Sequence, residues 1–162
     1  MSEQRVGFGF DAHRLVDGRP LVLGGVRLEH PRGLEGWSDA DALLHAIADA
    51  VLGAAARGDI GRHFPPDDPA WKDADSRELL AAAVAIVSRD GWRVGNVDAT
   101  VLAEAPRIAP HAAAMRAAIA GACGIDPGCV GIKATTMERM GFVGREEGIA
   151  AMAVVLLARE RA

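Results

Sequence analysis

In the run Gly9-Phe10-Asp11-Ala12-His13, an aspartate and a histidine stand two residues apart. In a strand that spacing puts both side chains on one face, so a strand over Gly7 to His13 presents a carboxylate and an imidazole together. A second imidazole follows in Ser38-Asp39-Ala40-Asp41-Ala42-Leu43-Leu44-His45, where His45 falls near the start of the first long helix. Two imidazoles and one carboxylate suit zinc, and three protein ligands leave a fourth position for water or substrate, as catalytic sites do. The plain reading stands beside this one: a D-x-H triplet is common, and a histidine at a strand end is often only a satisfied polar group.

Two further clusters carry candidate chemistry. Lys133-Ala134-Thr135-Thr136-Met137-Glu138 leaves a strand and is followed by Gly141-Phe142-Val143-Gly144-Arg145. Two hydroxyls, a carboxylate and an arginine are groups that hold a diphosphate with a magnesium ion, which takes one or two protein carboxylates and fills its shell with phosphate and water. Seen alone, the same residues are a strand end with capping threonines and a solvated glutamate. Ala103-Glu104-Ala105-Pro106-Arg107-Ile108-Ala109-Pro110-His111 reads as a rigid concave loop whose backbone could meet a base edge, or simply as a strand-to-helix connection.

The elements that must position these groups follow from periodicity and turn residues. Arg5 to Asp11 and Pro20 to Leu28 read as strands joined by a turn at Asp17-Gly18, the second bent at Gly24-Gly25. Glu29 to Gly36 reads as a loop. Ser38 or Asp39 is expected to cap a helix reaching Ala56, with Leu43, Leu44, Ile47, Ala48, Val51 and Leu52 at helical spacing. Asp49, one turn beyond His45, is expected to back the metal site, with a contact to substrate as its other reading. Arg62 to Asp75 is a proline-rich loop of the length that tends to be functional or mobile. A helix from Asp75 to Asp90, a strand from Trp92 to Glu104, a helix from Ile108 to Ala122, and strands over Val130 to Thr136 and Gly148 to Ala158 complete the chain. The expectation is one α+β domain over residues 1–162, a mixed β-sheet packed against helices.

At 162 residues the chain is long enough to bury a full core. A formal net charge of -4 without a basic cluster removes the electrostatic footprint of a nucleic-acid binder. No signal-peptide core or membrane-length apolar run is present. Cys123 and Cys129 read as free thiols of a reducing, cytoplasmic setting.

The ordered set GFDAH, SDADALLH, GDIG, FPPDDP, DSRELL, GNVDAT, APRIAPH and KATTMERMGFVGREEG resembles the 2-C-methyl-D-erythritol 2,4-cyclodiphosphate synthases of the non-mevalonate isoprenoid route, from Gly7 to Leu157. The resemblance implies conversion of 4-diphosphocytidyl-2-C-methyl-D-erythritol 2-phosphate to the cyclic diphosphate with release of CMP, a phosphorus–oxygen lyase reaction. It implies zinc on Asp11, His13 and His45, and a second divalent ion, Mg²⁺ or Mn²⁺, on Glu138. Thr136 matches a threonine that stabilises the transition state, and Thr135 its neighbour on the diphosphate. Asp59, Ile60 and Gly61 match the pocket for the methylerythritol hydroxyls. Phe64, Pro65, Pro66, Asp67 and Asp68 match a flap over the substrate, and Ala103, Glu104, Ala105, Pro106, Arg107, Ile108 and Ala109 the cytosine pocket. The resemblance further implies a homotrimer with active sites between subunits, and a central cavity lined by Phe10, Phe142 and Arg145 that holds isoprenoid diphosphates.

The chain departs from the family pattern in three places. Trp37 stands where a catalytic histidine beside Ser38 is usual, Pro66 where a carboxylate is common, and Met137 where a third threonine is found. An indole N–H is a donor only, so Trp37 can replace one hydrogen bond but not an imidazolium. Two alternatives stand against the synthase: a zinc-dependent phosphodiesterase using the same ligands, and a non-catalytic trimer that binds nucleotide or isoprenoid.

Overall fold

The computed structural model describes residues 2–160. In chain order the elements are β1 (Ser2–Asp17), β2 (Leu21–Leu23), β3 (Val26–Leu28), β4 (Arg32–Leu34), α1 (Ala42–Ala54), α2 (Ile60–His63), α3 (Ser76–Ser88), β5 (Arg93–Leu102), α4 (Ala112–Cys123), β6 (Val130–Thr135), α5 (Gly141–Gly144) and β7 (Gly148–Glu160). Five strands form one mixed sheet in the order β4-β1-β7-β5-β6. β1 and β7 pair antiparallel from Ser2↔Glu160 to Arg14↔Gly148, and β5 and β6 run parallel. Helices pack on one face over a single core, the α+β architecture expected.

The first strand runs well past the expected 5–11 because residues 2–14 find a partner in β7 and residues 15–17 in β4. The segment 20–28 is a separate hairpin in place of a bent strand. Gly24 and Gly25 take φ of 60° and 74°, the left-handed pair that a tight two-residue turn requires. The expected loop 29–36 contains β4, which hydrogen-bonds to β1 from Leu15 to Asp17.

Asp41, not Ser38 or Asp39, caps α1. Its side chain accepts the Leu44 N–H at 3.0 Å and also the Gly24 and Gly25 N–H groups at 2.9 and 2.7 Å, so one carboxylate ties the hairpin to the helix. Burial pushes the Asp41 carboxyl up from its ordinary value, against the pull of those amides. Ser38 and Asp39 belong to the preceding turn, where Ala40 has φ of 58°.

The approach of α1 to β1 decides where the site lies. Ala46, Ala50 and Ala54 recur at four-residue spacing and make a smooth ridge. Opposite them sit Gly7 and Gly9: a Cβ on either would lie 1.8 Å from the carbonyl oxygen of Ala50 or Ala46. α1 is buried almost all round, between the sheet and α3, as a helix apolar on every side must be.

The other sheet face carries the large residues. Val6, Phe8 and Phe10 of β1 stand beside Met152 and Val154 of β7, in register as Phe8↔Val154 and Phe10↔Met152, and all are between 38% and 67% exposed. Together they form an apolar stripe exposed on this face.

Candidate metal centre and substrate pocket

β1 projects Asp11 and His13 on one face, and α1, seated on the glycines of that strand, brings His45 to them. Asp11 Oδ2 lies 2.8 Å from His13 Nε2 and 3.0 Å from His45 Nδ1, and the two nitrogens are 3.2 Å apart. Among the described residues this is the one group of three His, Cys, Asp or Glu side chains whose donor atoms could share an ion. Four-coordinate zinc with bonds of about 2.0–2.1 Å needs ligand atoms roughly 3.3 Å apart. The triangle is a few tenths of an ångström tighter, and its N₂O donor set is one that divalent metals take, so the residues fit.

His13 Nδ1 stands 2.7 Å from the Glu35 carbonyl. A carbonyl only accepts, so Nδ1 carries a proton, and Nε2 is the nitrogen that faces the trio and can ligate a metal once it is deprotonated. His45 Nε2 lies 2.9 Å from Ser76 Oγ and 3.3 Å from Ser38 Oγ. Burial raises the Asp11 carboxyl, but hydrogen bonds from His13 and His45 outweigh it and hold its pKa at about 2. For His13, burial lowers the value and the Asp11 carboxylate more than offsets it, leaving the ring above its ordinary pKa.

The trio opens into a cavity of about 250 Å³. Of the residues expected to touch substrate, Trp37, Ser38, Ile60, Gly61, Phe64 and Pro66 line it beside Asp11 and His13. Trp71 and Leu79, neither of them expected at the site, join them. Asp49 lines it too, but it does not back the metal site. Its carboxylate accepts the Ile60 N–H at 2.7 Å and ties α2 to α1, with burial raising its pKa. Support for the histidines comes from Ser76, Ser38 and the Glu35 carbonyl. The Asp59 carboxylate caps α2 through the Arg62 N–H, and Asp68 caps the turn at Pro69–Trp71. Pro65, Asp67 and Asp68 lie outside the cavity lining.

Trp37 has a specific partner. Its indole N–H donates to the Asp68 carbonyl at 3.0 Å, and its own carbonyl accepts the Asp73 N–H at 2.9 Å. Phe64 and Trp71 meet edge to face with centroids 5.0 Å apart. The donor that Trp37 has in place of the usual histidine is thus engaged by the 64–71 loop.

The remaining expected residues form a second group, away from this cavity. None of Ala103 to Ala109 or Thr135 to Glu138 lines it. Glu104 has its carboxylate committed: it accepts the Met137 and Arg139 N–H groups at 3.0 and 3.2 Å. That holds a loop in which Glu138 and Arg139 have φ of 51° and 65°. Thr136 Oγ1 accepts the Glu138 N–H at 3.3 Å, and Thr135 donates to the Thr136 carbonyl at 3.0 Å. Arg145 pairs with Glu147 at 2.8 Å, while Phe10 and Phe142 are exposed.

Known proteins share this architecture. A protein of Dechloromonas aromatica named 2-C-methyl-D-erythritol 2,4-cyclodiphosphate synthase is 63% identical over 155 residues, covering 96% of this chain and 97% of its own. A solved structure of an enzyme of that name in a CDP-bound form superposes with a TM-score of 0.86 at 34% identity, covering 94% of this chain and 99% of the other. The bifunctional IspDF of Campylobacter jejuni matches with a TM-score of 0.94 at 40% identity. That match covers 99% of this chain, which spans only 43% of the bifunctional one. The YgbB family profile matches residues 4–158, and with this fold and this trio the chain belongs to the YgbB family.

Proposed function

We propose that this protein converts 4-diphosphocytidyl-2-C-methyl-D-erythritol 2-phosphate to 2-C-methyl-D-erythritol 2,4-cyclodiphosphate and releases CMP. The observation that carries the reading is the Asp11, His13 and His45 triangle in the lining of a cavity of about 250 Å³, in a chain 63% identical to a protein of that name. Asp11, His13 and His45 would hold zinc and Glu138 a magnesium or manganese ion, and bound cations supply positive charge that polarises phosphoryl oxygens.

A phosphate nucleophile is already anionic, so the protein's part is to bring two polyanions together and stabilise spreading charge. Asp59, Ile60 and Gly61 orient the methylerythritol hydroxyls, and the loop from Phe64 to Asp68 excludes water. Thr135 and Thr136 donate to the diphosphate, and Ala103 to Ala109 frame the base. The 2-phosphate attacks the β-phosphorus in line, and CMP departs from the opposite side.

The two groups of residues lie apart in one chain, and the sheet face bearing Phe8 and Phe10 is exposed. Both facts favour a homotrimer in which one copy offers the metal trio and the next the 103–109 and 135–138 segments. Phe10, Phe142 and Arg145 would then surround a central cavity suited to an isoprenoid diphosphate. The whole chain, residues 1–162, would act as one domain in the cytoplasm; no described helix is long and apolar enough to cross a membrane.

Formation of the cyclic diphosphate together with CMP by purified protein tests this reading. Turnover should stop on chelation, return with zinc plus magnesium, and be absent from Asp11→Ala. Release that persists in Asp11→Ala would refute the assignment.

A further inference from the structure

Behind His45 lies a polar chain that joins Asp39 to Ser76. Ser76, at the start of α3 and 1% exposed, sets its Oγ 2.9 Å from His45 Nε2. The same hydroxyl donates to Asp39 Oδ1. Asp39 Oδ2 accepts the Ser76 N–H at 3.0 Å, and Oδ1 also accepts the Asp41 N–H at 3.1 Å.

Donor counting fixes the direction of this chain. An ionised carboxylate only accepts, so the single Ser76 hydroxyl proton points at Asp39. Toward His45 the hydroxyl then has only a lone pair to offer, and the nitrogen facing it must carry the proton. Ser38 Oγ, 3.3 Å from Nε2, already accepts the Ala40 N–H at 3.2 Å and can accept a second donor without opposing this arrangement. With the proton of this chain on Nε2, Nδ1 is the nitrogen that faces Asp11 and His13 and is left to ligate a metal there. A ring with Nε2 bare would have its one N–H at Nδ1 and could not ligate through it.

We propose that Asp39, acting through the Ser76 hydroxyl, fixes the tautomer and ring orientation of His45 and so sets the metal affinity of the trio. Asp39 and Ser76 are positioning residues; neither reaches the ligand atoms. The inference rests on the metal reading above and adds the device that makes His45 a competent ligand. It also explains why two segments far apart in sequence, 38–45 and 75–78, meet here: the start of α3 buttresses the ligand carried by α1.

The test uses the full-length protein with zinc as the probe. Long-range ¹⁵N–¹H spectra of the metal-stripped protein report the His45 tautomer, and competition against a chromophoric chelator reports zinc affinity. Wild type should show the Nε2–H form. Ser76→Ala, which keeps the backbone bond to Asp39, should give mixed tautomers and about 10–100-fold weaker zinc binding, the usual cost of losing an outer partner of a metal-bound histidine. Ser76→Thr restores the hydroxyl and should restore the Nε2–H form. Asp39→Asn opposes donor to donor whichever way its amide turns, and should weaken zinc binding in the same direction. A zinc-binding wild type whose His45 Nε2 carries no proton, or Ser76→Ala and Asp39→Asn both within twofold of wild-type affinity, would overturn the inference. A wild type that takes up no zinc would instead strike the metal reading itself, and this inference with it.

Discussion

Gly9→Ala is a one-methyl change with consequences for both fold and site. The new Cβ would stand 1.8 Å from the Ala46 carbonyl oxygen and 2.8 Å from the Ala50 nitrogen, where ordinary contact begins at 3.4 Å. Both neighbours are backbone of α1, so no side chain can swing aside. The helix must retreat by roughly 1.2–1.6 Å to restore contact distance, and Ala46 is the residue next to His45. Overpacking of this kind costs about 1–3 kcal/mol and sometimes more. At about 2–4 °C per kcal/mol for a chain of this size, the upper end corresponds to a fall in melting temperature of roughly 6–12 °C. The same retreat draws His45 Nδ1 from its 3.0 Å and 3.2 Å contacts with Asp11 and His13, while metal ligation tolerates errors of about 0.2 Å. Circular-dichroism melts at fixed protein concentration and zinc uptake by the same samples form the assay. A Gly9→Ala protein that melts within 2 °C of wild type (about 1 kcal/mol or less) and binds zinc equally well would refute the claim that the β1 glycines seat the helix that carries the ligand.

Three other perturbations separate the parts of the account. Trp37→Phe keeps the ring but removes the N–H given to Asp68; a lost hydrogen bond of about 0.5–1.5 kcal/mol should raise KM by about 2–10-fold with kcat little changed, and a collapse of kcat alone would make the indole part of the chemistry. Phe8→Glu puts a charge into the exposed apolar stripe; light scattering should find a trimer for wild type, as proposed, and monomers for the variant, and an unaltered oligomer would exclude that face. Glu3 accepts from Arg5 and Arg159, whose guanidiniums stack on the buried Trp92 ring at 4.7 and 4.3 Å. The Arg159 hydrogen bond leads the groups that hold its carboxyl below the usual value. A depressed carboxyl contributes stability above its unfolded pKa and loses it as pH falls through the folded one. The melting difference between wild type and Glu3→Gln should therefore shrink from pH 6 to pH 3, and a gap that widens would contradict it.

The trio was legible because it obeys local rules: the two-residue strand period joins Asp11 to His13, and a long apolar-periodic segment carries His45. The three long helices and the strand over Val130 to Thr135 were legible for the same reason. What escaped depends on tertiary contact. Alternation along β1 would put Phe8 and Phe10 in the core, yet Gly7 and Gly9 face it, since only a glycine admits the α1 backbone so closely. Asp39 reads as a cap in sequence but is turned to Ser76 by the bend at Ala40. Glu104 reads as a base-contacting residue of its loop, yet it organises the backbone of the segment bearing Glu138. No local pattern encodes these partnerships, because each joins residues more than thirty positions apart.

The measurement that bears most directly on the central claim is phosphorus NMR of the product formed by the zinc- and magnesium-loaded protein from the cytidyl substrate. CMP appears whether the diphosphate cyclises or is hydrolysed, so the ring phosphorus signals decide. Cyclic diphosphate in step with CMP, absent from His45→Ala, is the predicted result. Open-chain phosphate in its place would make the protein a phosphodiesterase and contradict the account.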